Sequence, residues 1–268
     1  MTIRTSIADS SLDEARESLR VALPDEGSTL SQDQESFLVE IGEEWTEMRI
    51  HDYPEIFGIQ GLYERIVYDL LQCQSPEVVV ALLTSEVSKA GDKPAELSVL
   101  DLGAGNGYVA EILAGKGFDR FVGLDLLPQA AGAAERDRPG LYEEFVVGDI
   151  TDLPETESAK IRGKEFDCLT CVAALGFGDI PPEAFLAAFD YIREGGWLAF
   201  NINSRFLEPG EKSGFSKLIR TMIDRGVIEQ LAFERYTHRL ATSGDPIEYA
   251  ALIGRKLTAA PDDLWPRG

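Results

Sequence analysis

The sequence predicts an α/β fold with a doubly wound, mixed sheet of seven strands, an antiparallel last strand and an N-terminal helical cap. Two observations support this prediction. After Pro94, apolar runs alternate with helical patterns, which is typical of parallel strands covered by helices on both faces. The final two apolar runs leave no room for a helix between them, which indicates an antiparallel pair at the end of the chain.

The predicted elements of the sheet follow one another in order. Seven short apolar runs bounded by turn residues are predicted as strands, at residues 97–103, 121–126, 143–150, 166–175, 197–203, 227–238 and 248–257. Four helical patterns lie between them, at residues 108–117, 128–137, 181–196 and 214–226. The third helix begins with proline and ends with glycine, which is the usual asymmetry of a helix. Residues 151–165 are predicted as a loop.

Composition divides the chain into three regions. They are predicted as an acidic, disordered N-terminus (1–30), a helical cap (31–92) and a core domain (93–268). In the cap, a helix is expected where apolar side chains recur at helical spacing, at Phe37, Ile41, Trp45 and Met48.

The cap is also rich in aromatic residues. They interleave with aliphatic residues and include Trp45, Tyr53, Phe57, Tyr63 and Tyr68. The stretch 51–63, "HDYPEIFGIQGLY", carries one proline and two glycines and is predicted as a hinge or turn. We therefore predict that residues 34–90 lie over the carboxyl edge of the sheet and help to close a site there.

Charge and hydropathy restrict the classes of partner. The formal net charge is −22, and such a surface repels phosphate backbones, so no nucleic-acid partner is expected. No run of 18 apolar residues occurs, so no membrane span is expected, and residues 1–20 lack the apolar core of a secretory signal. These observations predict a cytoplasmic protein that acts on a small-molecule substrate.

The cysteines predict no metal site. Cys168 and Cys171 form a Cys-x-x-Cys pair, but the pair lies in an apolar run that is predicted as a buried strand. Strand side chains alternate between faces, so two positions three apart point to opposite sides. We therefore expect a structural role for both, in a reducing compartment.

A glycine-rich turn follows the first predicted strand, in "LSVLDLGAGNGYVAEIL". Gly103, Gly105 and Gly107 permit unusual dihedral angles and the close approach of a ligand. The nicotinamide fingerprint Gly-x-Gly-x-x-Gly is matched at its first two positions only, because the third is occupied by Tyr108. The turn thus indicates a ligand site of a different spacing.

Two acidic residues end the next two strands. Asp125 follows the glycines by about twenty residues, where a carboxylate can accept hydrogen bonds from both hydroxyls of a ribose. Asp149 ends the third strand, where a carboxylate can accept a hydrogen bond from the exocyclic amine of adenine. The glycine turn and the two acids together predict a site for an adenosine-containing cofactor.

Residues 94–206 resemble the class I S-adenosylmethionine-dependent methyltransferases, which have a Rossmann-like fold. The similarity lies in "LDLGAGNG", "GLDLLPQ", "VVGDITDLP", "FDCLTCVAAL" and "YIREGGWLAF". Upstream, "YDLLQCQSPEVVVALL" resembles the methyltransferase-like subgroup named after the Williams–Beuren chromosomal region. That subgroup often has a histidine after the fourth strand, whereas "AALGFGDIPP" has none, so no base is expected there.

The resemblance implies S-adenosyl-L-methionine as the cofactor and assigns its site. The residues implied to bind it are Tyr68, Asp101, Gly103, Ala104, Gly105, Asn106, Asp125, Leu126, Asp149, Ile150 and Val172. The cationic sulfonium of this cofactor suits an acidic protein.

The predicted function is methyl transfer to a small-molecule acceptor. An NAD(P)-dependent oxidoreductase and a non-catalytic, cofactor-binding regulatory protein remain as alternatives. The chain has two histidines, His51 and His238, and neither is assigned a catalytic role. The acceptor atom, the general base, the oligomeric state and the mobility of the cap are left open.

Overall fold

The computed structural model describes residues 9–24, 34–175, 180–204 and 214–264. Ten strands occur in these ranges: β1 (Val21–Ala22), β2 (Ser36–Ile41), β3 (Glu44–Arg49), β4 (Ser98–Leu102), β5 (Arg120–Asp125), β6 (Glu144–Val147), β7 (Phe166–Cys171), β8 (Ile192–Asn203), β9 (Ile228–Leu240) and β10 (Pro246–Lys256). They form a sheet of three strands and a sheet of seven.

The helices of the described ranges lie before the large sheet and between its strands. They are α1 (Asp9–Ser18), α2 (Tyr53–Gly58), α3 (Leu62–Glu64), which continues as a π-helix (Arg65–Leu70), α4 (Ser75–Ala90), α5 (Tyr108–Ala114), α6 (Pro128–Asp137), α7 (Glu155–Ile161), α8 (Pro182–Asp190) and α9 (Gly214–Asp224), with a short 3-10 helix at Pro94–Glu96. Taken singly, none of these helices is long and apolar enough to cross a membrane. The segments Leu62–Leu70 and Ser75–Ala90 meet the length and composition criteria only as a pair, bent by 79°.

The large sheet has the spatial order β6-β5-β4-β7-β8-β10-β9. Strands β4 to β8 pair in parallel, and β10 pairs antiparallel with both β8 and β9. The predicted α/β fold with seven strands and an antiparallel last strand is confirmed. The strand order reverses between β4 and β7, so the carboxyl ends of these two strands border a crevice.

Helices cover both faces of this sheet. One apolar core includes side chains of α4 and α5, and the other includes side chains of α8 and α9. Cys168 belongs to the first core and Cys171 to the second, so the two thiols lie on opposite faces, as their spacing predicts. Both cysteines are free, and burial raises the pKa of each thiol.

The cap is only partly helical, which corrects the prediction for residues 36–49. These residues form a hairpin, β2 and β3, whose two-residue turn begins at Gly42 with φ +68°. In β2, Phe37 and Val39 are buried while Leu38 is 41% exposed. This period of two is that of a strand, and the helical spacing of the larger apolar residues was misleading.

The prediction of a disordered N-terminus is wrong for residues 9–24. They contain α1 and the short strand β1, which pairs with β2. Arg16 holds α1 against the π-helix, because its Nε donates to Asp69 Oδ2 at 2.8 Å. Residues 1–8 and 25–33 lie outside the described ranges. An acidic composition therefore did not prevent local order where a partly buried partner was available.

Two smaller predictions also need correction. The expected loop at 151–165 contains α7, whose Ile161 is fully buried in the sheet's core. The helix expected at 181–196 ends at Asp190, and the next strand begins at Ile192. In that strand Gly195, with φ +75°, lies where the pairing register with β7 shifts.

Candidate active site

A cavity of about 430 Å³ lies at the carboxyl ends of β4, β5, β6 and β7. Its walls come from the loops after these strands, from the start of α8 and from the cap. The lining residues are His51, Tyr53, Pro54, Phe57, Tyr63, Leu102, Gly103, Gly105, Leu124, Asp125, Leu126, Leu127, Gly148, Asp149, Ile150, Val172, Ala173, Ala174, Ile180, Pro181 and Ala184. The position matches the crevice expected where the strand order reverses.

The glycine-rich turn between β4 and α5 forms the floor of the cavity. Gly103, Gly105 and Gly107 have φ angles of +73°, +54° and +87°, which other residues rarely adopt. A Cβ at Gly103 would lie 2.9 Å from Ala174 Cβ, so the two loops approach each other too closely for a side chain. The turn therefore requires glycine for backbone conformation and for packing.

Asp125 holds this turn from the end of β5. Its Oδ2 accepts a hydrogen bond from the Gly105 N–H at 2.9 Å, and its Oδ1 accepts one from the Leu127 N–H at 3.0 Å. Burial raises the pKa of Asp125, although the backbone donors oppose that shift. Each carboxylate oxygen retains a further lone pair, so Asp125 can also accept bonds from ribose hydroxyls.

The end of β6 supplies the next part of the wall. Asp149 is exposed, and its Oδ1 accepts bonds from the N–H and hydroxyl of Thr151 at 2.9 and 2.7 Å. Leu126 lines the cavity although it is 63% exposed, and the buried Ile150 lines it as well. Apolar side chains beside a carboxylate suit the flat ring and the exocyclic amine of adenine.

Seven of the eleven predicted cofactor residues line the cavity: Gly103, Gly105, Asp125, Leu126, Asp149, Ile150 and Val172. The other four, Tyr68, Asp101, Ala104 and Asn106, are not among its lining residues. Their roles in cofactor binding stay predictions.

Asp101 lies beneath the glycine turn and is almost fully buried. Its carboxylate accepts hydrogen bonds from the hydroxyls of Thr170, at 2.6 Å, and Tyr142, at 2.9 Å. Burial raises the pKa of Asp101 to about 6. Its observed contacts thus join β4 to β7 and to the chain before β6. Ala104, in the turn itself, is also buried.

Asn106 and Tyr68 connect the turn to the cap. The Asn106 amide donates to Glu64 Oε1 at 2.7 Å. Tyr68 stacks on Tyr108, the first residue of α5, with ring centroids 4.0 Å apart. Both residues thus fix the position of the cap relative to the turn.

The cap contributes five lining residues that were not assigned to the cofactor: His51, Tyr53, Pro54, Phe57 and Tyr63. Phe57 covers the glycine turn, because a Cβ at Gly105 would lie 3.4 Å from its ring. The aromatic content of this segment had led to the prediction that it helps to close the site. Trp45, which belonged to the same pattern, is instead 44% exposed on β3.

The two histidines lie in different surroundings. His51 lines the cavity, beside Tyr53, with ring centroids 5.6 Å apart. His238 is buried on β9, where its Nδ1 lies 2.6 Å from Ser75 Oγ, and burial holds its pKa well below the ordinary value. His51 is therefore the histidine that can reach a bound substrate. Within the described ranges, no three His, Cys, Asp or Glu side chains cluster as metal ligands would.

Comparison of the chain with known protein families distinguishes between the methyltransferase and the alternative classes of protein. A family model described as "Methyltransferase domain" matches residues 77–239, which is more than half of the chain. The chain belongs to this methyltransferase family. Membership confirms the predicted enzyme class and, with it, S-adenosylmethionine as the cofactor. It favours this class over the oxidoreductase and regulatory alternatives.

Curated relatives are similar to part of the chain. Ubiquinone biosynthesis O-methyltransferase of Thiobacillus denitrificans is 33% identical over 107 residues, which is 40% of this chain and 44% of that protein. The mitochondrial ubiquinone biosynthesis O-methyltransferase of Candida albicans is 31% identical over 115 residues, 41% of this chain and 33% of that protein. The matches thus span less than half the length of either relative.

A solved structure supports the fold. N-methyltransferase NodS from Bradyrhizobium japonicum, in complex with S-adenosyl-L-homocysteine, superposes with a TM-score of 0.51. The identity is 16%, and the superposition covers 77% of this chain and 97% of that one. At this identity the likeness establishes the Rossmann-like methyltransferase fold and leaves the acceptor open.

Proposed function

We propose that this enzyme transfers the methyl group of S-adenosylmethionine to a hydroxyl oxygen of a small, neutral, aromatic or apolar acceptor. The observation that carries the proposal is the composition of the cavity. Its described lining residues include the aromatic side chains of Tyr53, Phe57 and Tyr63, and none of these described residues is a lysine or an arginine. A phosphate or carboxylate group on the acceptor would have no cationic partner among these residues.

The fit of the cofactor rests on the floor of the cavity. The glycine turn leaves room for close approach, Asp125 would accept hydrogen bonds from the ribose hydroxyls, and Asp149 would accept one from the adenine amine. When bound, the cofactor supplies a methyl group on a cationic sulfur. The acceptor end would then lie beside β4 and β7, which are the third and fourth strands of the order that begins with β6 and β5.

An oxygen acceptor is supported by two lines of argument. The curated relatives in ubiquinone biosynthesis are O-methyltransferases by name, and they match about two fifths of this chain. A neutral hydroxyl must also lose its proton as its oxygen bonds to the methyl carbon and the methyl–sulfur electron pair returns to sulfur. A base at the cavity is therefore needed.

His51 is our proposed acceptor of that proton. The carboxylates that line the cavity, Asp125 and Asp149, are committed to the cofactor in this account. Burial raises the pKa of Tyr63, so that phenol stays protonated near neutral pH. Imidazole is the side chain that most often serves as a general base.

The narrower likeness to the Williams–Beuren-region subgroup remains a proposal. It is supported by Tyr68 and Asp69 ahead of the proline-containing start of α4. This likeness does not identify the acceptor of this chain.

The proposal is tested with matched acceptors that differ in one atom. Purified protein is incubated with methyl-labelled cofactor and with a phenol, an aniline and a thiophenol of the same ring substitution. We expect label in the phenol, and its transfer should fall at least about tenfold in His51→Gln. Preferential labelling of the aniline or thiophenol would contradict the oxygen assignment.

A further inference from the structure

Ala173 adopts a strained backbone conformation in the wall of the cavity. Its φ is +59°. Among the other non-glycine residues that the structure describes, only Gln72 also has a positive φ. A side chain disfavours this conformation, so it persists only where the surroundings enforce it, and such strain concentrates at functional sites. Ala173 lines the cavity two residues after the end of β7.

The surroundings enforce it through Asn201 of β8. The Asn201 Oδ1 accepts a hydrogen bond from the Ala173 N–H at 2.7 Å. The Asn201 side chain is fully buried. Its Nδ2 donates to Ser75 Oγ at 2.8 Å and to the Tyr236 hydroxyl at 2.6 Å. Since the Ala173 N–H can only donate, the amide has one workable orientation, with its oxygen toward Ala173.

The partners of Asn201 are themselves fixed. Ser75 Oγ lies 2.7 Å from the Tyr236 hydroxyl and 2.6 Å from His238 Nδ1. The His238 ring stacks on Tyr249, with centroids 4.0 Å apart. The network thus ties α4, β8, β9 and β10 together behind the cavity. Buried polar groups that are this fully bonded specify one arrangement of the elements that they join.

The position of Ala173 along the sheet relates this network to the reacting end of the cavity. Asp149 and Asp125 follow β6 and β5, and Ala173 follows β7, on the other side of the glycine turn. In the proposed function, the two acids would hold the nucleoside, and the reacting methyl group would then lie toward β7. Ala174, the next residue, is already in contact distance of a Cβ at Gly103.

We propose that Asn201 is a positioning residue, which holds the Ala173–Ala174 wall in the conformation that aligns the acceptor with the methyl group. The inference rests on the proposed function for the identity of that end of the cavity. Alignment of the reacting atoms accounts for a large part of the barrier in such displacements, so a small shift of this wall is costly. Asn201 acts through Ala173 and does not itself line the cavity.

The test combines kinetics with a crystal structure of Asn201→Ala. We expect kcat/KM for the phenol acceptor to fall at least about tenfold, while the affinity for S-adenosylhomocysteine changes less than about twofold. We also expect Ala173 to leave the positive-φ region. Adding Ala173→Gly should restore part of the activity, because glycine adopts that conformation without strain.

Two further variants separate positioning from stability. Tyr236→Phe removes a hydroxyl bonded to the same amide but keeps the bond to Ala173, so it should lower Tm and leave acceptor kinetics within about twofold. Asn201→Asp keeps an oxygen toward Ala173 and should retain more activity than Asn201→Ala. If Asn201→Ala does not fold, Asn201→Leu, of similar volume, takes its place.

A failure of the proposed function and a failure of the role of Asn201 give different results. A wild-type protein that methylates no phenol contradicts the proposed function, and the φ of Ala173 in the variant still decides the role of Asn201. If Ala173 keeps its positive φ in Asn201→Ala, or if Tm falls with unchanged acceptor kinetics, Asn201 is not a positioning residue.

Discussion

Glu64 should couple the cap to the cofactor turn through a buried ion pair. Its side chain is 2% exposed, and its Oε1 lies 3.0 Å from Nη1 of Arg138, whose side chain is 4% exposed. The same oxygen accepts from Asn106 of the glycine turn at 2.7 Å. Glu64→Leu therefore leaves a buried guanidinium and a buried amide without this acceptor.

The expected cost follows from these contacts. Removing one member of a buried ion pair typically costs about 3–5 kcal/mol. Arg138 keeps a bond to Glu111, at 2.8 Å, but that carboxylate is 44% exposed and compensates only in part. Glu64→Gln keeps an oxygen toward Asn106 and should cost less, about 1–3 kcal/mol. Because Asn106 belongs to the turn, both variants should also weaken cofactor binding.

Urea denaturation and calorimetry with S-adenosylhomocysteine measure the two effects. Glu111→Gln is the matched control on the exposed side of Arg138 and should change the free energy of unfolding by less than about 1 kcal/mol. The double variant Glu64→Leu/Arg138→Leu should regain stability, since it leaves no buried charge alone. A loss in Glu64→Leu no larger than that of Glu111→Gln would refute the coupling.

Three further predictions concern the floor of the site. Asp125→Ala should weaken S-adenosylhomocysteine binding at least about tenfold, because each charge-assisted bond contributes about 1.5–3 kcal/mol, and unchanged affinity in calorimetry would remove the ribose assignment. Gly105→Val should fold but lose cofactor binding, because φ +54° is strained for valine and its methyl groups would extend from a Cβ that already lies 3.4 Å from the Phe57 ring. Normal binding would make the turn merely structural. Burial raises the pKa of Asp101 from 3.8 to about 6, so as the pH rises the carboxyl of the unfolded chain releases its proton before that of the folded protein. The wild type should therefore lose up to about 3 kcal/mol of its free energy of unfolding between pH 4 and pH 7. Denaturation curves should show this loss shrink in Asp101→Asn, and an identical pH dependence in that variant would show that Asp101 is not its source.

The sheet and the floor of the site could be predicted because their determinants are local. Strand β4 is buried on both faces and runs directly into a glycine turn, so its pattern is unambiguous. Asp125 and Asp149 end the next two strands, and the carboxyl ends of parallel strands meet at one edge. Sequence order alone was enough to bring these residues to one cavity.

The cap was harder to predict because its structure depends on partners distant in sequence. Glu35 is buried against Arg239, at 2.5 Å, and it also accepts from the Thr242 N–H at 2.6 Å. These contacts join the small sheet to the end of β9, more than two hundred residues later. No spacing within the cap reveals them, so the hairpin was mistaken for a helix.

The hydrogen-bond network behind the cavity could not be predicted from the sequence for the same reason. Asn201, Ser75 and Tyr236 come from three separate elements and meet only in the fold. Their residue types are common, and no motif marks them. The positive φ of Ala173 is likewise a property of the folded backbone, since alanine carries no preference for that region.

Thermal unfolding in the presence of candidate cofactors tests the central claim most directly. S-adenosylmethionine and S-adenosylhomocysteine, each at about 100 times its dissociation constant, should stabilise the protein by about 2.7 kcal/mol, which corresponds to a rise in Tm of about 5–10 °C. NAD at the same concentration should produce no rise, and Asp125→Ala should lose most of the effect. A rise with NAD and none with S-adenosylhomocysteine would contradict the assignment of this cavity to a methyltransferase cofactor.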